Sequence, residues 1–217
     1  MRNLLYKECA LSASKLSFLF ILFSLFFFIP NYPILVGAFF VTLGIFQSFQ
    51  HARESGDILF SALLPISRRD VVKGKFLFVC LIELIALMLM GIVTLIRLTV
   101  FRDFVVYRAN ALMTANGFAL GLASVIFGLF NLLFVGGYFK TAYKFAGPFV
   151  TYLIAVFPLI GLAEALHYFP GLGALNAFGF DEAPLQTSLL LSLLAVSVLL
   201  TCLAYRMSCA RLCKIDL

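Results

Sequence analysis

Long apolar runs alternate with short polar groups along this chain. A helix needs about 20 residues to cross the hydrocarbon core of a bilayer, and most of the runs reach that length. They predict six membrane spans, at about residues 16–29, 34–50, 75–101, 109–139, 145–167 and 185–205. The first run is short and ends in a tight reversal at Pro30 and Pro33, so a re-entrant hairpin is the alternative for the first two runs. The predicted fold class is all-α, a polytopic membrane protein with a single domain over residues 1–217.

Composition supports a membrane protein and argues against two other classes. Hydrophobic residues make up 63% and charged residues 12% of the chain, whereas a soluble domain has about half and about a quarter. So many apolar residues could not all be buried in one water-soluble core. The net charge of +6 does not indicate a nucleic-acid surface, because the basic residues lie at the ends of the apolar runs and not on one polar face.

The basic residues also predict the orientation of the spans. Thirteen of the sixteen Lys and Arg residues fall on one side: three in the N-terminal segment, five in residues 51–75, two in residues 140–144 and three in the C-terminal tail. Cytosolic loops carry this excess of positive charge, so both termini are predicted to be cytosolic. Residues 1–15 predict an interfacial helix along the inner leaflet, with Lys7 and Lys15 turned away from its weakly apolar face. A frayed terminus is the alternative.

Residues 51–75 form the longest polar segment between two apolar runs. The second span is predicted to continue past Gln50 as an amphipathic helix, which Leu64 and Pro65 break. Ser67 and Asp70 then have the S-x-x-D spacing of a capping box, which opens a new helix running into the third span. The predicted geometry is helix, sharp turn, helix. An ordinary loop would account for the positive charge of this segment, but not for so stiff and capped a construction.

Few residues could carry chemistry inside the membrane. The chain lacks G-x-x-x-x-G-K-[ST], so it cannot bind ATP through a P-loop. Glu83 lies inside the third span and Glu164 near the outer end of the fifth, and each is interpreted either as part of a translocation path or as a structural charge. Glu164 and His167 have E-x-x-H spacing, but di-iron bundles use two such motifs. No catalytic residue and no metal site are predicted.

A stripe of small residues lies on one face of the fourth span, at Gly117, Gly121, Ser124 and Gly128. Small residues let helices approach closely in lipid, where apolar side chains gain little from meeting each other. The stripe therefore predicts a close helix contact, either with another span of the same chain or with a second copy.

Three segments resemble a known family. Residues 57–76 read DILFSALLPISRRDVVKGKF, residues 1–8 read MRNLLYKE and residues 139–144 read FKTAYK. Together with the six-span layout, they are similar to bacterial ABC-type-two exporter permeases, in the small stand-alone branch that has no fused ATPase. The resemblance covers nearly the whole chain. The chain departs from the family after the fifth span, where the segment is short and holds no obvious re-entrant helix on the outer side.

The resemblance implies a function and a set of partners. Two permeases, identical or paralogous, would assemble in the bacterial plasma membrane with two copies of a separate ABC ATPase. That partner would hold the ATP and Mg²⁺, while this chain would hold no cofactor and catalyse no reaction. The segment 1–15 would be an elbow helix, and the loop between spans two and three would be the coupling helix seated in a groove of the ATPase. The predicted contact residues are Asp57, Leu64, Pro65, Ile66, Ser67, Arg68, Arg69 and Asp70.

The resemblance also bears on the substrate. Members of the family export peptides, lipids, polysaccharides or drugs, and some near relatives export amphipathic peptide toxins or confer resistance to antimicrobial peptides. The expected substrate is therefore hydrophobic or amphipathic, with a peptide the first choice.

Two other functions are compatible with the residues. An intramembrane enzyme acting on lipid or peptide would need paired polar residues at matched depth in different spans, for which Glu83, Glu164 and a few asparagines are available. A peptide-immunity module would sequester a peptide without ATP. Copurification with an ATPase separates the exporter from both.

Overall fold

The computed structural model describes residues 2–63, 66–108, 110–141, 144–180 and 182–214. The fold is 79% helical, and the residues in these ranges contain no strand. The α-helices are α1 (Arg2–Lys7), α2 (Lys15–Phe20), α3 (Leu35–Glu54), α4 (Asp57–Leu63), α5 (Arg68–Thr99), α6 (Val105–Arg108), α7 (Gly117–Leu129), α8 (Gly136–Tyr138), α9 (Ala146–Leu166) and α10 (Ala183–Leu212). Four further segments have wider or tighter turns: π segments at Glu8–Ser12 and Phe130–Val135, and 3₁₀ segments at Ile21–Phe28 and Gly173–Asn176.

Five helical units among the described residues are long and apolar enough to cross a membrane. They are α3, α5, α9, α10 and the unit Gly117–Tyr138, which joins α7 to α8 through a π segment. A sixth crossing is obtained if Leu4–Ala10 and Lys15–Phe28, which meet at 99°, count as one broken span. The predicted all-α polytopic membrane fold is confirmed.

Three helices differ in their ends from the predicted spans. The helix of the second span continues past Gln50, as predicted, and ends at Glu54, and that of the sixth continues past residue 205 to Leu212. The fourth begins at Gly117 instead of residue 109 because Asn116 caps the helix there. The Asn116 side chain accepts a hydrogen bond from the backbone N–H of Ala119 at 2.9 Å, which satisfies a donor that the first helical turn leaves unpaired.

The first span gains length from its 3₁₀ segment and packs closely on α3. A 3₁₀ turn rises about 2.0 Å per residue, against about 1.5 Å for an α-helix, so Lys15–Phe28 reaches about 25 Å despite its few residues. A Cβ added at Gly44 of α3 would stand 2.5 Å from Cβ of Phe20. The Ser17 hydroxyl donates to the carbonyl of Gly44 and lies 2.6 Å from Ser48 Oγ. The backbone of α3 at Gly44 is therefore in direct contact with side chains of α2.

The bundle has two different ends. We call the end that carries α1, α4, the first turns of α5 and the last turns of α10 the basic end, and the opposite end the distal end. At the distal end, the Asn116 amide donates to the carbonyls of Leu175 and Ala177 at 2.9 and 3.1 Å. The backbone N–H of Thr114 donates to Asn176 at 2.6 Å. The segment before α7 and the 3₁₀ turn Gly173–Asn176 thus form one hydrogen-bonded cap.

The stripe of small residues on α7 packs against α10 of the same chain. A Cβ added at Gly117 would stand 2.6 Å from the carbonyl oxygen of Gln186, and one at Gly128 would stand 3.0 Å from Cα of Ser197. Ser197 also donates to the Ser124 carbonyl at 2.6 Å. The sequence left two partners open for the stripe, another span of the same chain or a second copy. The structure contains the contact within the chain.

Replacing Gly117 by alanine is expected to lower the midpoint of thermal unfolding in detergent. The added methyl group would press on the backbone of α10, and overpacking of this kind costs about 1–3 kcal/mol. Gly161→Ala on α9 is the matched control, because a Cβ there meets nothing within 4 Å. Equal midpoints for the two variants would contradict the close contact between α7 and α10.

Candidate functional site

The polar loop between α3 and α5 contains a separate short helix, α4. The chain leaves α3 after Glu54 and turns at Gly56, whose φ of 65° is a left-handed conformation that glycine adopts without a steric penalty. The helix continues past Gln50 as predicted, but only to Glu54. The rest of the amphipathic stretch is a separate helix, because the backbone leaves the helical conformation at Gly56. Leu64 and Pro65, the predicted break and two of the predicted contact residues, lie outside the described residues.

The predicted capping box at the start of α5 is confirmed. Ser67 Oγ accepts from the backbone N–H of Asp70 at 3.1 Å, and the backbone N–H of Ser67 donates to Asp70 Oδ2 at 3.2 Å. Each residue satisfies a backbone donor of the other, which fixes the residue at which the helix begins. The loop after α4 therefore ends in a firmly defined helix start.

Three buried charged side chains and the half-buried Lys7 meet where α1, the π segment after it, α4 and α5 come together. Lys75 Nζ lies 2.7 Å from Glu8 Oε2 and 2.6 Å from Asp57 Oδ2. Lys7 Nζ lies 2.9 Å from Glu8 Oε1 and 2.9 Å from Asp57 Oδ1. Each ammonium group thus bridges the same two carboxylates. The four groups form a closed ring of alternating charge, which we call the charge square.

Hydroxyl groups complete the contacts of the charge square. Lys7 donates to Ser61 Oγ at 2.6 Å, and Lys75 donates to Ser12 Oγ at 2.7 Å. An ammonium group has three donors, and with two carboxylates and one hydroxyl each lysine has a partner for every one. Lys75 also lies 5.8 Å from the ring centroid of Phe49, near the end of α3. Four segments of the chain therefore contribute to this cluster.

Balanced charge makes the burial of these groups possible. The side chains of Glu8, Asp57 and Lys75 are 1%, 0% and 2% exposed, and an isolated ion at such a depth would cost several kcal/mol. The charges of the two carboxylates and the two ammonium groups sum to zero, and each ion has two partners of opposite sign. The cluster is therefore stable as a unit but intolerant of losing one member, because the loss leaves a buried charge without compensation.

Comparison with known families gives the class of this protein. Residues 3–214 match the family model described as an ABC-2 family transporter protein. The chain belongs to the ABC-2 transporter family. It is a permease domain of the ABC exporter type, and membership implies an ABC ATPase as partner. The resemblance drawn from the three segments is confirmed at the level of the family. No curated protein and no solved structure matches the chain.

The outer face of α4 in the permease is apolar. Phe60 and Leu63 are 46% and 85% exposed, whereas Asp57 on the same helix is enclosed in the charge square. The prediction that Asp57 contacts a partner needs correction, because its side chain has no exposed surface. Asp57 holds α4 in place, and the two exposed side chains of α4 named above are hydrophobic.

Other predicted contact residues of the permease lie beside the last turns of α10. Arg68 Nη1 donates to the carbonyls of Leu212 and Cys213 at 3.3 and 3.2 Å. Arg69 lines a cavity together with Arg206. Basic side chains at a helix C-terminus interact favourably with its unpaired carbonyls, so the start of α5 is tied to the end of α10. Ile66, between α4 and α5, is half-buried and packs on the apolar core.

Glu83 of the permease is bonded to an amide within the bundle. Asn131 Nδ2 donates to Glu83 Oε2 at 2.9 Å and to Thr201 Oγ1 at 3.1 Å. Asn131 belongs to the π segment, and such wide turns often occur at functional positions. The contact joins α5 to α10 and to the π segment, which is a structural role. No basic side chain pairs with Glu83 in the ranges that the structure covers.

Glu164 lies in a different part of the permease. Its Oε2 accepts from the backbone N–H of Met113 at 2.8 Å, at the distal end. Glu83 and Glu164 have separate partners, so the structure does not bring these two acids together as the enzyme hypothesis requires.

Sequence reasoning missed the residues that form the charge square. Lys7 was placed on the solvent side of an interfacial helix, but its ammonium group points into the bundle. A signal was present, since Glu8 and Asp57 are acids in two segments that are otherwise rich in basic residues. Arg97 lies in the last turn of α5. It is fully buried, donates to the carbonyl of Phe27 at 2.7 Å and lies 4.6 Å from the ring centroid of Tyr107.

Asp57→Asn is expected to release α4 from α1 and α5. The variant leaves two ammonium groups facing one carboxylate, and removing one partner of a buried ion pair costs about 3–5 kcal/mol. Hydrogen exchange of the α4 amides should accelerate in the protein in detergent, and the midpoint of thermal unfolding should fall. Asp103→Asn is the control, because its side chain is 90% exposed and an exposed pair contributes little.

A compensated variant tests whether charge balance is the cause. Asp57→Asn/Lys75→Met leaves Lys7 and Glu8 as a neutral pair, so part of the stability lost in Asp57→Asn should return. If the double variant lost as much stability as the two single variants together, the four groups would not act as a ring.

Acidification provides an independent test of Asp57. Burial by itself would raise the pKa of its carboxyl, but Lys75 and Lys7 outweigh burial and hold the pKa below the ordinary value of 3.8. A carboxylate with a lowered pKa contributes its stability at pH values above the ordinary pKa and loses it as the pH falls through the folded pKa. The difference in unfolding midpoint between the native protein and Asp57→Asn should therefore be equal at pH 7 and pH 5 and should shrink only below about pH 4. A difference that already shrank between pH 7 and pH 5 would contradict this.

Proposed function

We propose that this permease is the membrane subunit of an ATP-driven exporter, that its ATPase is a separate chain, and that α4 is the coupling helix. The observation that carries the proposal is the charge square. It holds α4 against α1 and the first turns of α5 at distances of 2.6 to 2.9 Å. A force applied to α4 would therefore reach both helices without being lost in a flexible loop.

The energy source in this proposal lies outside the chain. The sequence has no P-loop motif, so ATP and Mg²⁺ would bind to the partner ATPase. ATP favours the closed state of the motor, and closure would push on α4 and shift the permease between two states. α5 is suited to transmit that movement, because it is one continuous helix of 32 residues, about 48 Å long, and reaches from the coupling loop to the distal end.

The chemistry of the loop supports a docking role. Phe60 and Leu63 give α4 an apolar outer face that an ATPase groove would cover, and large apolar side chains in such pockets supply much of the energy of protein–protein contacts. Ser67, Arg68, Arg69 and Asp70 would form the polar rim of the contact beside it. Leu64, Pro65 and Ile66 follow α4 in the sequence and stay predicted contact residues.

The proposed assembly has two permeases, identical or paralogous, and two ATPases in the bacterial plasma membrane, with both termini cytosolic. The proposed substrate is hydrophobic or amphipathic, most simply a peptide. An apolar hollow of about 670 Å³ along the first span supports this class, because every side chain that lines it is Leu, Ile or Phe.

The proposal is tested by copurification from the cells that make the protein. The tagged permease is purified in a mild detergent, and bound chains are identified by mass spectrometry and tested for ATP hydrolysis. Leu63→Glu places a charge on the apolar face of α4 and should reduce recovery of the ATPase at least about tenfold, as expected for a central contact residue. Arg68→Glu/Arg69→Glu, at the rim, should reduce recovery less.

Val105→Glu is the matched control for Leu63→Glu, because Val105 is 75% exposed and lies at the distal end. It should leave recovery of the ATPase unchanged. The coupling role of α4 would be overturned if Leu63→Glu and the native protein recovered the ATPase equally. If no ATPase copurified with the native protein in several detergents, that result would contradict the proposal that a separate ATPase drives the permease.

A further inference from the structure

A cavity lies at the basic end, between the first turn of α5 and the last turns of α10. Its volume is about 370 Å³, and it is lined by Arg69, Tyr205, Arg206, Cys209, Ala210 and Cys213. Arg69 and Arg206 are exposed and come from two different helices. This cavity is separate from the outer face of α4 and shares only Arg69 with the proposed polar rim of the ATPase contact. Its role does not depend on α4 being the coupling helix.

The position of Arg206 along α10 places the cavity at the level of lipid headgroups. No charged residue occurs from Ala183 to Tyr205, and Arg206 is the first charge after this stretch. The stretch measures about 35 Å, slightly more than the hydrocarbon core of about 30 Å. The guanidinium group of Arg206 therefore lies just beyond the core.

The charge of the cavity favours an anion. Arg69 and Arg206 are among the residues that line it, and a guanidinium group matches the geometry of a phosphate with two parallel hydrogen bonds. The nearest acid along α5 is Asp70, whose Oδ2 accepts the hydroxyl of Ser67 at 2.6 Å. That acid is engaged in the capping box and lowers the positive potential of the cavity without removing it.

The surface of α10 next to the cavity is suited to an acyl chain. Leu199, Leu203 and Met207 are 63%, 51% and 38% exposed. Residues spaced by three or four lie on one face of a helix, so these apolar side chains share a face with Arg206. A ligand whose phosphate occupied the cavity could lay a hydrocarbon chain along them.

We propose that this cavity binds the phosphate of an anionic phospholipid in the leaflet that adjoins the basic end. Arg69 and Arg206 hold the phosphate from two helices, and the acyl chains lie along Leu203 and Leu199. Basic pockets between membrane helices are a known kind of lipid-headgroup site. The bound lipid bridges α5 and α10 at the same level at which Arg68 donates to the last carbonyls of α10, so it strengthens the link between the two helices.

Cysteines in the cavity allow the site to be tested directly. The full chain is purified in a nonionic detergent, and the rates of alkylation of Cys209 and Cys213 by N-ethylmaleimide are measured by mass spectrometry. Phosphatidylglycerol, phosphatidylcholine and inorganic phosphate are titrated separately, and exposed Cys9 at the same end serves as the internal reference. We expect phosphatidylglycerol to slow alkylation of both cavity cysteines relative to Cys9, and phosphatidylcholine to have little effect.

The arginines are tested by removing their charge. Arg69→Gln/Arg206→Gln should raise the concentration of phosphatidylglycerol needed for protection by roughly fivefold for each arginine removed. Lys140→Gln/Lys144→Gln, which removes the same charge elsewhere on the predicted cytosolic side, should leave that concentration unchanged. Arg69→Lys/Arg206→Lys keeps the charge and should retain part of the protection, which separates loss of binding from misfolding.

Three results would overturn the proposal. Equal protection by phosphatidylcholine would show that the cavity does not select an anion. Protection that persisted in Arg69→Gln/Arg206→Gln would place the lipid elsewhere. If inorganic phosphate protected the cysteines and phosphatidylglycerol protected them less, the cavity would be a site for a free anion and not for a lipid. None of these results affects recovery of the ATPase with the native protein.

Discussion

The position of α4 depends on four charges, each of which is compensated by the others. Lys7, Glu8, Asp57 and Lys75 come from three segments that are far apart in sequence, and their ring of ion pairs brings those segments to one point. Apolar packing could not bring these segments together with the same selectivity, because most surfaces of the chain are apolar and one apolar contact differs little from another. A buried ring of opposite charges is satisfied in one arrangement only. It therefore specifies where α4 lies as well as stabilising it.

The two ends of the bundle are held together by different chemistry. At the basic end the contacts are ionic and draw α4, α5 and α1 together. At the distal end they are hydrogen bonds between backbone groups and side chains, which are the amides of Asn116 and Asn176 and the charged groups of Arg97 and Glu164. The basic end is thus held by ions that pair with one another, and the distal end by side chains that pair with the backbone.

Much of the fold could be predicted from the sequence because its signals are local. Apolar run lengths located the spans, and the spacing of Ser67 and Asp70 located the start of α5. The charge square could not be predicted in this way, because it joins residues that no local pattern connects. Lys7 and Lys75 read as ordinary cytosolic charge and Asp57 as a polar surface residue. The contact of α4 with an ATPase stays a prediction, since its partner is another chain.

The lysines of the charge square have one effect on the orientation of the chain in the membrane and another on the stability of the folded protein. Lys7 and Lys75 contribute to the excess of positive charge that retains a loop in the cytosol, yet in the folded protein their charge is cancelled by Glu8 and Asp57. Acids count little when orientation is decided, so the lysines act alone at that stage and their partners matter afterwards. Replacing all four residues by neutral ones would leave the sum of their charges at zero, but it would remove two of the thirteen basic residues on the predicted cytosolic side. The positive-inside signal that acts during membrane insertion would then be weaker.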